Sequence, residues 1–390
     1  MYRILYLSPG PSPYSTVPTK NQFFFLSTLA TGDLLSPIWG KKADSEIETT
    51  IPKVDKAMGN FKYHVTFSFG YPWIIRLCWD ILFYISVGLF LYYFKNKYDV
   101  IITYGPYKTA MAGYLLKKLT NAKLIIEIPG NPKKAFLYEN HTSNISDRIK
   151  SKLGDTITRF ILNRADHLKL LYPTQLQAYK IPKKGKISVF HDFVPISQIK
   201  TQKRTEKYIL FLGFPWFLKG VDVLIKAFNK ISAEFSLYQL RIVGFCPQKS
   251  YFQNLALGNQ KIQLSDPVWH EEALKLISNC TVLVLPSRTE GMGRVLLEAM
   301  AAQKPVIASN VDGIPYHVKD GYNGLLFESE NENDLANKIK SILKNKKYAR
   351  RLGSNGYHYV HNYFSEEKYI ENYKRMIERT LRPIPDTNNV

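Results

Sequence analysis

At 390 residues, 45% hydrophobic and 22% charged, the chain can bury two or three domain cores, which excludes a disordered or fibrous protein. Its 53 Lys and Arg against 32 Asp and Glu leave a charge of +21, with 27 basic against 13 acidic residues up to position 200 and 26 against 19 beyond it. Three scattered cysteines, Cys78, Cys246 and Cys280, offer neither a disulfide framework nor a zinc spacing, so a reducing, cytoplasmic setting is the expectation. No helix-turn-helix, zinc-finger or RNA-recognition signature accompanies the charge, so nucleic acid is set aside. An anionic membrane surface, or simply a solvated basic surface, remains to account for it.

In chain order, Met1–Leu7 reads as a strand, too short an apolar run for a signal peptide, followed by the loop Ser8-Pro9-Gly10-Pro11-Ser12. The carboxyl edge of an open α/β sheet is where ligands bind, which makes Gly10 and Ser12 candidates, with a rigid surface turn as the alternative. Tyr71–Phe94 is the most apolar stretch. Arg76 and Asp80, one turn apart and able to pair, leave an unbroken run shorter than the roughly 20 residues of a membrane span. A non-spanning helix is expected, either interfacial, with its Trp, Tyr and Phe followed by Lys95 and Lys97, or an ordinary core helix. The segments 98–103, 123–128, 165–171 and 186–190 read as strands and 110–119 as a helix, an alternation that predicts a doubly wound sheet. The polar stretch 198–207 reads as an interdomain linker. A second series follows: strand 208–212, the loop Gly213–Gly220, helix 221–228, strand 239–244 and helix 271–277. A last amphipathic pattern, 366–381, aligns Tyr369, Tyr373, Met376 and Ile377 on one face.

The chain is organised around residues 281–326. A buried strand, 281–285, leads through Pro286-Ser287-Arg288-Thr289 into Glu290-Gly291-Met292-Gly293. A helical pattern, 294–302, and a further strand, 305–308, complete the unit. Unpaired N–H groups and the positive dipole end at such a helix start favour an anion, and Gly291 and Gly293 let the backbone come close to it. Glu290 lies just before the helix, and Glu298 within it leans back toward the same place. Carboxylates repel phosphate but accept hydroxyl hydrogens, so a diphosphate between two hydroxyl-bearing rings satisfies both demands, which describes a nucleotide sugar.

The same segment resembles the signature of the retaining GT-B glycosyltransferases of family four, the glycosyl transferases group 1. The resemblance rests on the E-x7-E pair Glu290 and Glu298, on Glu298-Ala299-Met300-Ala301 with Pro305-Val306-Ile307-Ala308-Ser309, and on Gly313-Ile314-Pro315 through Asp320-Gly321, Asn323-Gly324 and Leu326. It is close from about 208 to 343 and looser before. It implies an α/β GT-B fold: two Rossmann-like doubly wound domains facing across a cleft, at 1–198 and 208–364 around a linker at 199–207. A C-terminal helix and tail, 365–390, cross back to the first domain.

The implied reaction is retaining hexosyl transfer from a nucleotide diphosphate sugar to a saccharide or lipid-linked acceptor, with the donor mainly on the second domain. In this reading Lys219 and the N–H groups of Gly291, Met292, Gly293 and Arg294 stabilise the leaving diphosphate, and Val295 belongs to the same donor-binding stretch. Glu290 holds the sugar hydroxyls, Glu298 the ribose, and Gly213, Gly244, Gly10 and Ser12 line the donor. Two departures stand out. Phe214 occupies the place of an arginine that partners Lys219 in the family, with Arg294 as a possible substitute. Glu127-Ile128-Pro129-Gly130 replaces a histidine-bearing loop and makes Glu127 the candidate acidic group of the catalytic cleft. No Asp-x-Asp occurs, so transfer is expected to need neither metal nor cofactor. The basic, aromatic first half points to an acceptor presented at an anionic membrane, with the enzyme peripheral on the cytoplasmic face, in surface polysaccharide or glycolipid synthesis. A sugar-nucleotide epimerase of the same fold and a catalytically inactive binding subunit remain the alternatives, and oligomeric state stays open.

Overall fold

The runs Val100-Ile101-Ile102 and Leu124-Ile125-Ile126 are apolar throughout because both faces of their sheet are covered. Ile101, Leu124 and Ile126 pack into one core, and Val100, Ile102 and Ile125 into another. The computed structural model describes residues 1–10, 14–38, 45–67, 73–95, 97–130, 155–179, 185–202, 205–246, 249–256 and 258–382. Ser12 therefore lies outside the described residues, as do parts of the linker and the last residues of the tail.

The chain forms two units, the first taking in the chain to Pro129, a stretch ending at Pro195 and the chain from Glu366, and the second Ile196–Ser365. In the first, β1 (Tyr2–Leu7), β2 (Ala30–Ile38), β3 (Phe61–Phe67), β4 (Val100–Tyr104), β5 (Lys123–Ile128), β6 (His167–Leu170) and β7 (Lys186–Val189) make one parallel sheet in the order 3-2-1-4-5-6-7. In the second, β8 (Tyr208–Leu212), β9 (Gln239–Val243), β10 (Ile262–Ser265), β11 (Val282–Leu285), β12 (Val306–Ser309) and β13 (Leu325–Phe327) run 10-9-8-11-12-13, also parallel. Strand order reverses between β1 and β4 in one sheet and between β8 and β11 in the other. That switch point is the crevice where open α/β sheets take ligands.

The helix Glu366–Leu381 closes the first unit. Tyr369, Tyr373, Met376 and Ile377 are buried among Ile4, Tyr6, Phe23 and Phe190, so the face predicted from spacing is the one that packs. The predicted apolar helix is Trp73–Phe94, and it lies against the sheet through Tyr84 and Leu91. A Cβ on its Gly88 would stand 3.1 Å from Leu116 and 3.3 Å from Leu5, a close approach that a side chain would obstruct. Asp80, predicted to be within reach of Arg76, turns inward and accepts from Lys108 Nζ at 2.6 Å.

Candidate functional site

The second unit assembles its site from the loops after β8 and β11, the two strands flanking the switch point. After β8, Gly213 meets the loop after β9. A Cβ on Gly244 would lie 2.0 Å from the Gly213 carbonyl oxygen, so the backbones touch where a side chain would separate them. The loop ends at Gly220, left-handed at φ 67° and caps the helix Val221–Ile231. A Cβ there would strike the Pro286 carbonyl oxygen at 2.0 Å. The two site loops are thus in backbone contact.

Arg288 locks that contact. Its guanidinium takes both carboxylate oxygens of Asp222 at 2.8 Å each, donates through Nε to Glu330 at 2.8 Å and donates to the Phe217 carbonyl. Burial works against the Arg288 charge, but Asp222 and Glu330 outweigh it and push its pKa up. Asp312 holds the loop after β11 from the other side, accepting from the Thr289 hydroxyl and from Glu290 N–H at 3.3 Å. Gly313 N–H donates to the Glu290 carbonyl at 3.1 Å.

Within this frame Lys219 Nζ sits 2.7 Å from Glu290 Oε2, while Gly291 N–H donates to Glu290 Oε1 at 3.1 Å. Gly293, left-handed at φ 69°, caps the helix Arg294–Ala301. Among the described residues the N–H groups of Met292, Gly293 and Arg294 donate to no backbone or side-chain acceptor. Met292 is buried beneath the turn, whereas Arg294 is half-exposed and Val295 partly so. Glu298 Oε1 lies 3.1 Å from His270 Nε2 and 3.7 Å from Arg294 Nε. Phe214, standing where a cation was expected, is 64% exposed and extends to solvent, as do Phe245 and Trp269 after β9 and β10. The arrangement offers an anion-binding helix start with a lysine beside it, two carboxylates able to accept hydroxyl hydrogens, and three exposed rings on neighbouring loops.

The structure therefore brings Lys219, Glu290, Gly291, Met292, Gly293, Arg294, Val295 and Glu298 to one sheet edge, with Gly213 and Gly244 at the adjoining loops. Sequence reasoning missed Arg288, Asp222, Asp312 and His270. The partners Arg288 and Asp222 are 66 positions apart and His270 and Glu298 are 28 apart, without a local spacing to announce them.

The first unit carries the other two described candidates. Gly10 is left-handed at φ 73°, and a Cβ on it would meet the Pro37 carbonyl oxygen at 1.9 Å, so its glycine serves a close backbone crossing. Glu127, at the end of β5, is 2% exposed. Its Oε2 accepts from Tyr6 at 3.2 Å and pairs with Lys169 at 3.4 Å, and its Oε1 accepts from Tyr373. Burial raises the Glu127 pKa. Burial disfavours the Lys169 charge, but Asp192 and Glu127 prevail and hold its pKa above the ordinary lysine value. Glu127 thus spends its oxygens inside the unit.

Residues 194–359 match the family model for the glycosyl transferases group 1. An uncharacterized glycosyltransferase of Methanocaldococcus jannaschii is 37% identical over 282 residues, 72% of this chain and 75% of the relative. Among solved structures, the sucrose-phosphate synthase of Thermosynechococcus elongatus aligns over 97% of this chain and 99% of its own, at TM-score 0.79 and 20% identity. Anabaena HepE, solved in complex with UDP-glucose, aligns over 98% of this chain and 99% of its own, at TM-score 0.71 and 17% identity. These two likenesses concern architecture, and the two parallel doubly wound sheets are those of the GT-B fold.

Proposed function

The chain belongs to the glycosyl transferases of group 1, and from that premise we propose that it moves a hexosyl unit from a nucleotide diphosphate sugar to a saccharide acceptor with retention at the anomeric carbon. The acceptor in this proposal is lipid-linked or membrane-presented, in surface polysaccharide or glycolipid synthesis. The observation that carries the reading is the juxtaposition of Lys219, 2.7 Å from Glu290, with the unengaged N–H groups of Met292, Gly293 and Arg294 at one helix start.

As the bond from the anomeric carbon to the diphosphate oxygen lengthens, negative charge gathers on the diphosphate and positive charge on the sugar ring. The helix start and Lys219 stabilise the former, each well-placed donor contributing about 3 kcal/mol by analogy with oxyanion sites. That supply of positive charge is why the proposed transfer proceeds without a metal. Glu290 gives up Lys219 to the diphosphate and accepts the sugar hydroxyls, while Glu298, oriented by His270, accepts those of the ribose. Arg294, half-exposed beside Glu298, supplies the cation that Phe214 does not. The exposed rings of Phe245 and Trp269 offer faces on which a nucleobase can stack.

The test is product analysis with a set of labelled nucleotide sugars, with and without saccharide acceptors, reading the anomeric configuration by NMR. Glycoside of the donor's configuration, formed only with acceptor, supports the proposal. Donor converted without acceptor would favour an epimerase, and binding without turnover on any acceptor would favour an inactive subunit.

A further inference from the structure

The helix Trp73–Phe94 turns one face into the core and leaves the other bare. Asp80, Tyr84, Gly88 and Leu91 face inward. The positions Ile75, Trp79, Leu82, Ser86, Phe90 and Tyr93, separated by steps of four and three residues, face outward on a single stripe. Leu82 is 61% exposed, Phe90 54% and Phe94, beside the stripe, 78%. A surface helix ordinarily presents polar side chains to water, and a stripe of Ile, Trp, Leu, Phe and Tyr is an apolar patch that calls for an occupant. By length and composition the helix could cross a bilayer. Its inner face is committed to Leu5, Leu116 and Lys108, so it lies on the sheet instead.

The patch continues onto its neighbours. Tyr93 donates to the Leu119 carbonyl at 2.8 Å, which places the exposed Leu119 and Lys118 next to its end. The exposed Phe160, on the helix 155–162, packs edge-on to Tyr114 at 5.8 Å, and Lys118 lies 5.9 Å from the same ring. Around this surface Lys95, Lys97, Lys118 and Arg159 are exposed and have no carboxylate partner among the described residues. Of the carboxylates close by in sequence, Asp99 is engaged by the Arg3 N–H and Asp166 by Lys117 at 2.7 Å.

We propose that the outer face of the helix Trp73–Phe94 docks this protein onto a bilayer bearing anionic headgroups, with the apolar stripe at the acyl boundary and the lysine and arginine rim at the phosphates. Charge complementarity selects that occupant. A second copy of the chain would set this basic rim against its own like charges, whereas anionic lipid neutralises it, and Trp and Tyr on the stripe suit the interfacial layer. The inference deepens the membrane part of the proposed function, yet it rests on this surface and not on the transfer reaction.

Flotation of the full-length protein tests it, with vesicles of phosphatidylcholine alone or with about one third phosphatidylglycerol. Wild type is expected to float with the anionic vesicles and to be released as salt is raised. The double variant Leu82→Glu with Phe90→Glu should reduce the bound fraction at least about tenfold, and Lys95→Glu with Lys118→Glu should abolish the preference for phosphatidylglycerol. All four side chains are exposed, so both variants should keep the wild-type unfolding midpoint and the wild-type rate on a water-soluble acceptor. Vesicle binding by a chain that transfers no sugar would still support the docking face. Wild type that stays off anionic vesicles, or a Leu82→Glu, Phe90→Glu variant that floats as wild type does, would overturn it. So would a wild-type dimer, formed without lipid, that the same variant dissolves.

Discussion

Lys219–Glu290 in the second unit and Lys169–Glu127 in the first are both lysine–glutamate pairs near the carboxyl ends of parallel strands, at 2.7 and 3.4 Å. The side chains of the first pair keep 18% and 15% of their exposure, those of the second 2% each. A pair in touch with water can exchange its partner for a ligand at little cost, since its net stabilisation is small. A buried pair cannot, because removing either member strands the other charge in a low dielectric. Glu127 is in addition bound by Tyr6 of β1 and by Tyr373 of the C-terminal helix. The same residue types at the same kind of sheet edge therefore differ in how freely they can change partners, and the proposed function assigns chemistry to the first pair and cohesion to the second.

The sharpest way to break that contrast is Lys169→Met. It strands Glu127 and Asp192 and should cost about 3–5 kcal/mol, a fall of roughly 10 °C in the melting midpoint, with nucleotide affinity unaltered in whatever remains folded. Lys219→Ala should behave in the opposite way. Its kcat/KM should fall by about 10²–10³, while its unfolding midpoint stays within about 2 °C of wild type. Should Lys219→Ala lose stability and keep transfer, the roles assigned to the two pairs are reversed.

His167 sharpens the account of cohesion. It lies between Ser188 and Thr380 at 2.9 Å from each, and burial, with Arg379 and Lys186, pushes its pKa down to about 4. The unfolded chain takes up the proton near the ordinary value while the folded chain resists it. Stability is thus full above about pH 6.5 and is lost toward pH 4, at up to about 1.4 kcal/mol per pH unit. Denaturant titrations across that window should show the slope, and His167→Gln should flatten it. Tyr373→Phe, which removes one hydrogen bond to the buried Glu127, should cost about 1.5–3 kcal/mol in the same titrations.

Much of the architecture was legible because parallel strands covered on both faces must be apolar runs. Tyr208–Leu212 and Lys123–Ile128 form with the predicted bounds, as does the helix Glu366–Leu381. β2 was not foreseen. Its sequence, ATGDLLSPI, carries Asp33, whose burial is tolerated only because Arg3 at 3.2 Å, His64 at 2.7 Å and Tyr98 at 3.1 Å converge on it from other elements. At the candidate site, the glycines and carboxylates of 290–298 were legible because a helix start dictates them locally. Arg288 and Asp222 were not, because a bidentate pair between distant loops leaves no period in the chain. Glu127 was visible as an acidic residue at a strand end, but whether such a group faces a cleft or a core depends on what covers it, here Tyr6, Lys169 and Tyr373.

The most direct test of the central claim, that the second unit's helix start with Lys219 and Glu298 holds a nucleotide diphosphate sugar, is calorimetry. UDP-, GDP- and ADP-sugars would be titrated into the wild type, Lys219→Ala and Glu298→Ala. The account predicts one preferred nucleotide whose affinity falls by about tenfold or more in each variant, since each removes a charge-assisted contact. Absence of binding to all three nucleotides by wild type, or equal affinity in all three proteins, would contradict it.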